Sequence, residues 1–200
     1  MVNQLLLPGR MCHWQMRPFV DLESYWRIRS VQFGLDVVPN LHPGVTQTCV
    51  RGSDKDPWTW THARMGECAG ARHFCVLRET LDWSIGAPDQ GYDFVDPMVG
   101  DRIDMKTTDW WKRFLIVSRA KVSPNSDSWR RLPFDRLVLI KSYVMERPPQ
   151  FCFQIWGHIS KERYFRECKW SKGGWPPGLD ADTPYMDQNE LDLIDQPLTP

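Results

Sequence analysis

The stretch "GYDFVDPMVGDRIDMKT", residues 91–107, decides how this chain is read. It packs four acids, Asp93, Asp96, Asp101 and Asp104, among apolar residues and carries an Asp104-Met105-Lys106 triplet near its end. Apolar and polar residues alternate with the strand period of two. "YDFVD" and "DRIDMKTT" therefore read as a hairpin around "PMVG". On that period Asp104 and Lys106 share one face of the second strand, and Ile103 and Met105 share the other. Symmetric closure about Met98 and Val99 sets Asp93 opposite Asp104, and Asp96 opposite Asp101. Like charges directly opposed destabilise a sheet, so the Asp93–Asp104 pair predicts something positive between them. Carboxylate oxygens suit a hard cation such as Mg²⁺. Lys106 is placed to hold a metal-bound water and to help orient it for attack on a phosphodiester. Asp96 and Asp101 fall at the turn, where water screens them, and are expected to be structural or idle.

Outward from the hairpin, "TWTHARMGECAGARHFCVL" predicts a helix over about 59–77, capped by Thr59 or Thr61. Gly66 and Gly70 lower its propensity, and close packing is the usual reason for such glycines. After the hairpin, "RFLIVSRA" reads as a third strand, apolar enough to be central. "KVSPNSDSWRRLPF" is a polar, basic connector, and "DRLVLIKSYVM" and "QFCFQIWGHI" are two further strands. "SKERYFREC" is a short helix with Ser160 as N-cap and Glu162 in its first turn. Upstream, "SYWRIRSVQFGLDVV" fits a strand or a short helix followed by one, and "PNLHPGVTQ" and "RGSDKDPWT" read as loops. The tail, rich in Pro, Gly and Asp, is expected to wrap the surface with little regular structure. The order helix, three strands, connector, two strands, helix predicts a mixed α/β fold around one sheet. Residues 57–170 form its core, 1–56 an N-terminal extension packed on it, and 171–200 an acidic tail.

Composition places this in one soluble globular domain of 200 residues, 42% apolar and 25% charged. Net charge is zero, but its distribution is uneven. Residues 110–175 hold 14 bases against 5 acids, whereas residues 176–200 hold 6 acids and no base. A basic centre before an acidic tail suggests a polyanion-binding face and a tail that screens it. Six cysteines, Cys12, Cys49, Cys68, Cys75, Cys152 and Cys168, form no CxxC pair and match no zinc spacing. They read as reduced thiols of a cytoplasmic protein. No run is long enough to span a membrane.

An acid, a hairpin of about ten residues, then Asp/Glu-x-Lys on the next strand resembles the PD-(D/E)xK nucleases. The matching residues are Asp93, Asp104 and Lys106. Glu67, in "GECAGARHF", matches the acid that a helix before the hairpin often supplies in that superfamily. The run "DRLVLIKSYV...FQIWGHISKERY" is similar to the strand–strand–helix ending of small nuclease-like proteins of phages and bacteria. The resemblance covers about residues 61–168, and Tyr92 stands where the family pattern has Pro. It implies a restriction-endonuclease-like core and hydrolysis of DNA, with the choice between DNA and RNA left open, in a bacterial or phage-infected cytoplasm. It implies Mg²⁺ or Mn²⁺ held by Asp93, Asp104 and the Met105 carbonyl, with Glu67 acting through a water. Lys106 positions the nucleophilic water, and many such enzymes are homodimers. Arg113, Arg119, Lys121, Arg130 and Arg131 are candidates for the phosphate path. Trp110 and Trp111 are candidates for stacking on bases, although one member of a Trp pair is more often core.

Plainer readings stand beside these. Asp104 pairs with Lys106 or Lys141, Lys106 blunts an edge strand, and Glu67 pairs with Arg64 or Arg72. The competing function is a nuclease-like module that binds nucleic acid or protein without catalysis.

Overall fold

The computed structural model describes residues 19–22, 24–40, 57–81, 83, 91–117, 122–124, 126–146, 149–172 and 175–194. Arg119, Lys121, Cys12, Cys49, the 41–47 part of the first predicted loop and the 51–56 part of the second lie outside them. The elements run β1 (Phe19–Asp21), α1 (Ser24–Val37), α2 (Pro57–His73), β2 (Phe94–Val95), β3 (Arg102–Asp109), β4 (Phe114–Ile116), β5 (Arg136–Glu146), β6 (Pro149–Ser160), α3 (Lys161–Glu167), β7 (Lys169–Trp170) and β8 (Pro184–Asp187). The fold is mixed α/β. A five-stranded sheet has the order β1-β6-β5-β3-β2, with β3 and β5 parallel and the other pairs antiparallel. A second sheet has the order β4-β8-β7.

Alternation along β3 and β5 divides two cores. Ile103, Met105, Val138 and Ile140 join Met65, Cys68 and Ala69 of α2 and Trp26 of α1 on one face. Leu137 and Leu139 join Leu115, Met186, Ile159 and Tyr164 on the other. Parallel register aligns Asp104 with Leu137 and Lys106 with Leu139, so these two polar residues stand on the face that carries the second sheet.

α2 sits close against β3. A Cβ at Gly66 would overlap the Thr107 side chain, and one at Gly70 would overlap the Met105 thioether. The helix starts at Pro57, whose missing N–H costs nothing in a first turn, so Thr59 and Thr61 lie inside it and are not caps. It ends at His73 rather than 77. Cys75 takes a left-handed φ of 55°, and the Val76 N–H bonds the Ala71 carbonyl at 2.8 Å, closing the last turn. α3 has the expected cap, the Ser160 hydroxyl accepting from the Arg163 N–H.

Three expectations change. "RFLIVSRA" contributes β4, but not to the main sheet, because the two edges of β3 are taken by β2 and β5. Its apolar residues are buried in the second core instead, with Leu115 fully covered. The tail is not irregular. Pro184–Asp187 pairs with both β4 and β7, and Asp192 exchanges two backbone bonds of 3.0 Å with His158. Residues before 57 contribute the edge strand β1 and the helix α1, which packs on α2 where Gly34 meets Thr61. Three tail acids do pair with central bases, as Arg113–Asp187, Arg163–Asp192 and Lys169–Glu190.

The helix–sheet contact yields a differential test. Gly66→Ala is expected to destabilise by about 1–3 kcal/mol in urea unfolding, because β-branched Thr107 cannot move aside. Gly70→Ala is expected to cost less, because the end of Met105 is flexible. Equal effects, or a stabilised Gly66→Ala, would contradict this packing.

Candidate active site at the edge of β3

β2 pairs with β3 only as Phe94–Ile103 and Val95–Arg102. The ladder does not continue to the expected Asp93–Asp104 pair, because the Asp93 N–H bonds the carbonyl of Ile103, the residue already paired with Phe94. The turn closes through Gly100 at φ 81°. Its two other acids are engaged structurally. Asp96 is buried, not screened by water, and its Oδ1 accepts the Met98 N–H at 2.8 Å. Asp101 pairs with Arg136.

Where the ladder stops, Asp93 takes over. Its N–H bonds the Ile103 carbonyl at 2.7 Å, and its Oδ2 accepts the Met105 N–H at 2.6 Å. The N–H and C=O of an extended residue point the same way, so the Met105 carbonyl faces this edge too. Asp104, 6% exposed, accepts a 2.6 Å bond from Lys106 Nζ through its Oδ1. Glu67 comes from α2, and its Oε2 accepts from Arg64 at 2.5 Å. The Arg64 guanidinium lies over the rings of Phe33 at 4.3 Å and Trp83 at 5.0 Å.

These groups act on one another. Burial holds the Asp93 carboxyl well above the ordinary carboxylate range, and the charges of Glu67 and Asp104 push it further. Lys106 and the Met105 N–H pull it back only in part. Glu67, Asp104 and Lys106 therefore each act on Asp93; Asp104 and Lys106 stand on the second-sheet face of β3, whereas α2, which carries Glu67, packs on the other. Among the described residues, no three His, Cys, Asp or Glu side chains close into a ready-made metal cage. Asp93, Asp104 and the Met105 carbonyl are oxygen donors of the kind a hard cation takes.

The plainer pairings are present as well, Lys106 with Asp104 and Arg64 with Glu67. Of the two bases offered for Glu67, Arg64, at i,i+3, meets it. Of the phosphate-path candidates, Arg113 pairs with Asp187. Arg130 pairs with Asp127 at 3.4 Å and lies over Trp129, and Arg131 is exposed. Both Trp110 and Trp111 are exposed, so neither is the core residue expected of a Trp pair.

Two other reactive-looking groups are structural. Burial pushes the Cys68 thiol up to about 12, which leaves it a poor nucleophile. His62 Nε2 lies 2.5 Å from Ser142 Oγ, but Ser142, on β5, is buried, out of reach of a substrate. No family model, curated protein or solved structure matches the chain.

An acid whose folded pKa lies above its unfolded value loses stability as pH climbs from the lower value to the higher. Asp93→Asn keeps an oxygen for the Met105 N–H and removes the charge. It is expected to raise the unfolding midpoint at neutral pH in EDTA and to flatten the pH dependence above pH 4. A lowered midpoint in EDTA would show that the Asp93 charge is not crowded.

Proposed function

We propose that the protein is a metal-dependent nuclease of the PD-(D/E)xK type acting on DNA, built on a restriction-endonuclease-like core. The observation that supports this reading is the buried carboxyl of Asp93 at the edge of β3, on which Glu67, Asp104 and Lys106 all act, with Lys106 bonded to Asp104. Asp93, Asp104 and the Met105 carbonyl would hold Mg²⁺ or Mn²⁺, with Glu67 reaching it through a water. Such an ion supplies charge neutralisation and a lowered pKa for a coordinated water. Lys106, on the same face as Asp104, orients the attacking water and stabilises the negative charge that builds on the phosphate as the P–O bond to the leaving group breaks. Arg64 holds Glu67 in place from its seat between two aromatic rings.

A second reading has its own support. The pairs Lys106–Asp104 and Arg64–Glu67 partly neutralise the acids without a metal, as a non-catalytic nucleic-acid- or protein-binding module would need. Supercoiled plasmid and linear DNA incubated with Mg²⁺, Mn²⁺ or EDTA separate the two. The nuclease reading predicts metal-dependent cutting that falls by about 100-fold or more in Lys106→Ala. DNA shifted in a gel but uncut under every metal would replace it with the binding module.

A further inference from the structure

β3 ends in a turn that carries Trp110 and Trp111, 57% and 62% exposed. Isolated exposed aromatics are ordinary, but this pair is held in place from beneath. Lys141 is fully buried, with its ammonium over the Trp156 ring at 5.1 Å. It donates to the carbonyls of Trp110, at 3.4 Å, and Lys112. A lysine is rarely buried completely, and here its charge is spent on fixing the backbone of the turn that lifts the two indoles into solvent. The Lys112 N–H bonds the Asp109 carbonyl at 3.1 Å and tightens the turn further.

The two indoles are differently aimed. Trp110 lies nearly parallel to Tyr143, with centroids 6.5 Å apart and planes at 15°. Trp111 stands edge-on to Trp110 at 6.0 Å and 88°. The Trp110 N–H bonds the Ser142 carbonyl at 3.1 Å, so Trp110 continues the register of β3. On the strand period it falls on the face of Asp104 and Lys106. Four residues at about 3.3 Å each place its backbone about 13 Å from that of Lys106. That spans about four phosphate steps of a duplex strand, and fewer of an extended one.

We infer that Trp110 and Trp111 form a stacking platform for unpaired bases of a nucleic-acid strand whose backbone runs along β3 past Asp104 and Lys106. This rests on the nuclease reading and narrows its substrate to DNA with a single-stranded segment. Paired bases keep their faces covered, whereas an unpaired base offers a flat π surface to an indole. The adjacent bases suit a strand backbone. Lys112 and Arg113 pair with Asp109 at 3.0 Å and Asp187 at 2.6 Å, but both side chains are about half exposed. Surface pairs of this kind are weak enough for a phosphate to displace.

Fluorescence anisotropy in EDTA tests the platform without cleavage, using a labelled single strand, a blunt duplex and a duplex with a single-stranded overhang. Trp110→Ala and Trp111→Ala are each expected to weaken single-strand and overhang binding about tenfold or more. Blunt-duplex binding should change less than about threefold. Trp111→Phe should retain most of the affinity, and Trp175→Ala, an exposed Trp elsewhere, should match wild type. Single-strand binding unchanged in both alanine variants, equal losses on the blunt duplex, or no oligonucleotide bound by wild type would overturn the platform. A parallel Mg²⁺ cleavage assay keeps the two readings apart. Cutting that persists unaltered in both variants removes the platform and leaves the nuclease. Trp-dependent binding without cutting leaves the platform and removes the nuclease.

Discussion

The site depends on one constraint, the early end of the β2–β3 ladder. β2 stops pairing at Phe94, and the edge of β3 beyond it still presents the Met105 N–H, which needs an acceptor. A carboxylate supplies it. Using Asp93 for that purpose places a negative charge against the backbone of the strand that carries Asp104, beside a helix that carries Glu67. Asp104 is buried, and Glu67 and Asp93 are only partly exposed, so water screens the three acids less than it would at the surface. The same hydrogen bond that finishes the sheet edge thus concentrates charge there, and a lysine on β3 and one backbone donor compensate only part of it.

The rest of the fold serves this edge. The odd positions of β3 through Thr107 pack under α2, and its even positions carry Asp104 and Lys106 on the other face. Gly66 and Gly70 let α2 approach Thr107 and Met105, and Glu67 of this helix acts on Asp93. β5, parallel to β3, closes the inner side of the strand and contributes the buried Lys141 under its far end. The second sheet covers the opposite face of β5, and its β8 comes from the tail whose acids pair with Arg113, Arg163 and Lys169. Three of the 14 bases counted in the central segment are thus matched by acids of the tail.

The parts legible in the sequence are those set by local pattern. The hairpin register followed from alternation and the turn at Pro97–Gly100, and the cap of α3 followed from Ser160. The glycines of α2 announced a close contact, though not that Thr107 and Met105 would make it. Apolar content predicted that Leu115 is buried but could not say in which sheet, because that depends on which edges of β3 are already occupied. The tail's strand was hidden because Pro184–Asp187 has no alternating run of its own and is stabilised by its neighbours. The exposure of both tryptophans ran against composition, since a Trp pair usually contributes at least one ring to a core. The cause, Lys141 holding the carbonyls of Trp110 and Lys112 from beneath, is a contact between residues about 30 positions apart in the chain.

The central claim is that Glu67, Asp93 and Asp104 form one cation-binding cluster at the edge of β3. Titration of ¹⁵N-labelled protein with Mn²⁺, followed by amide line broadening, tests it most directly. The account predicts that the amides of Asp93, Asp104, Met105 and Lys106 broaden first, that Glu67 follows, and that Asp104→Asn removes the effect while the rest of the spectrum is retained. Broadening that begins at the tail acids Asp180–Asp192, or that is the same in Asp104→Asn, would contradict it.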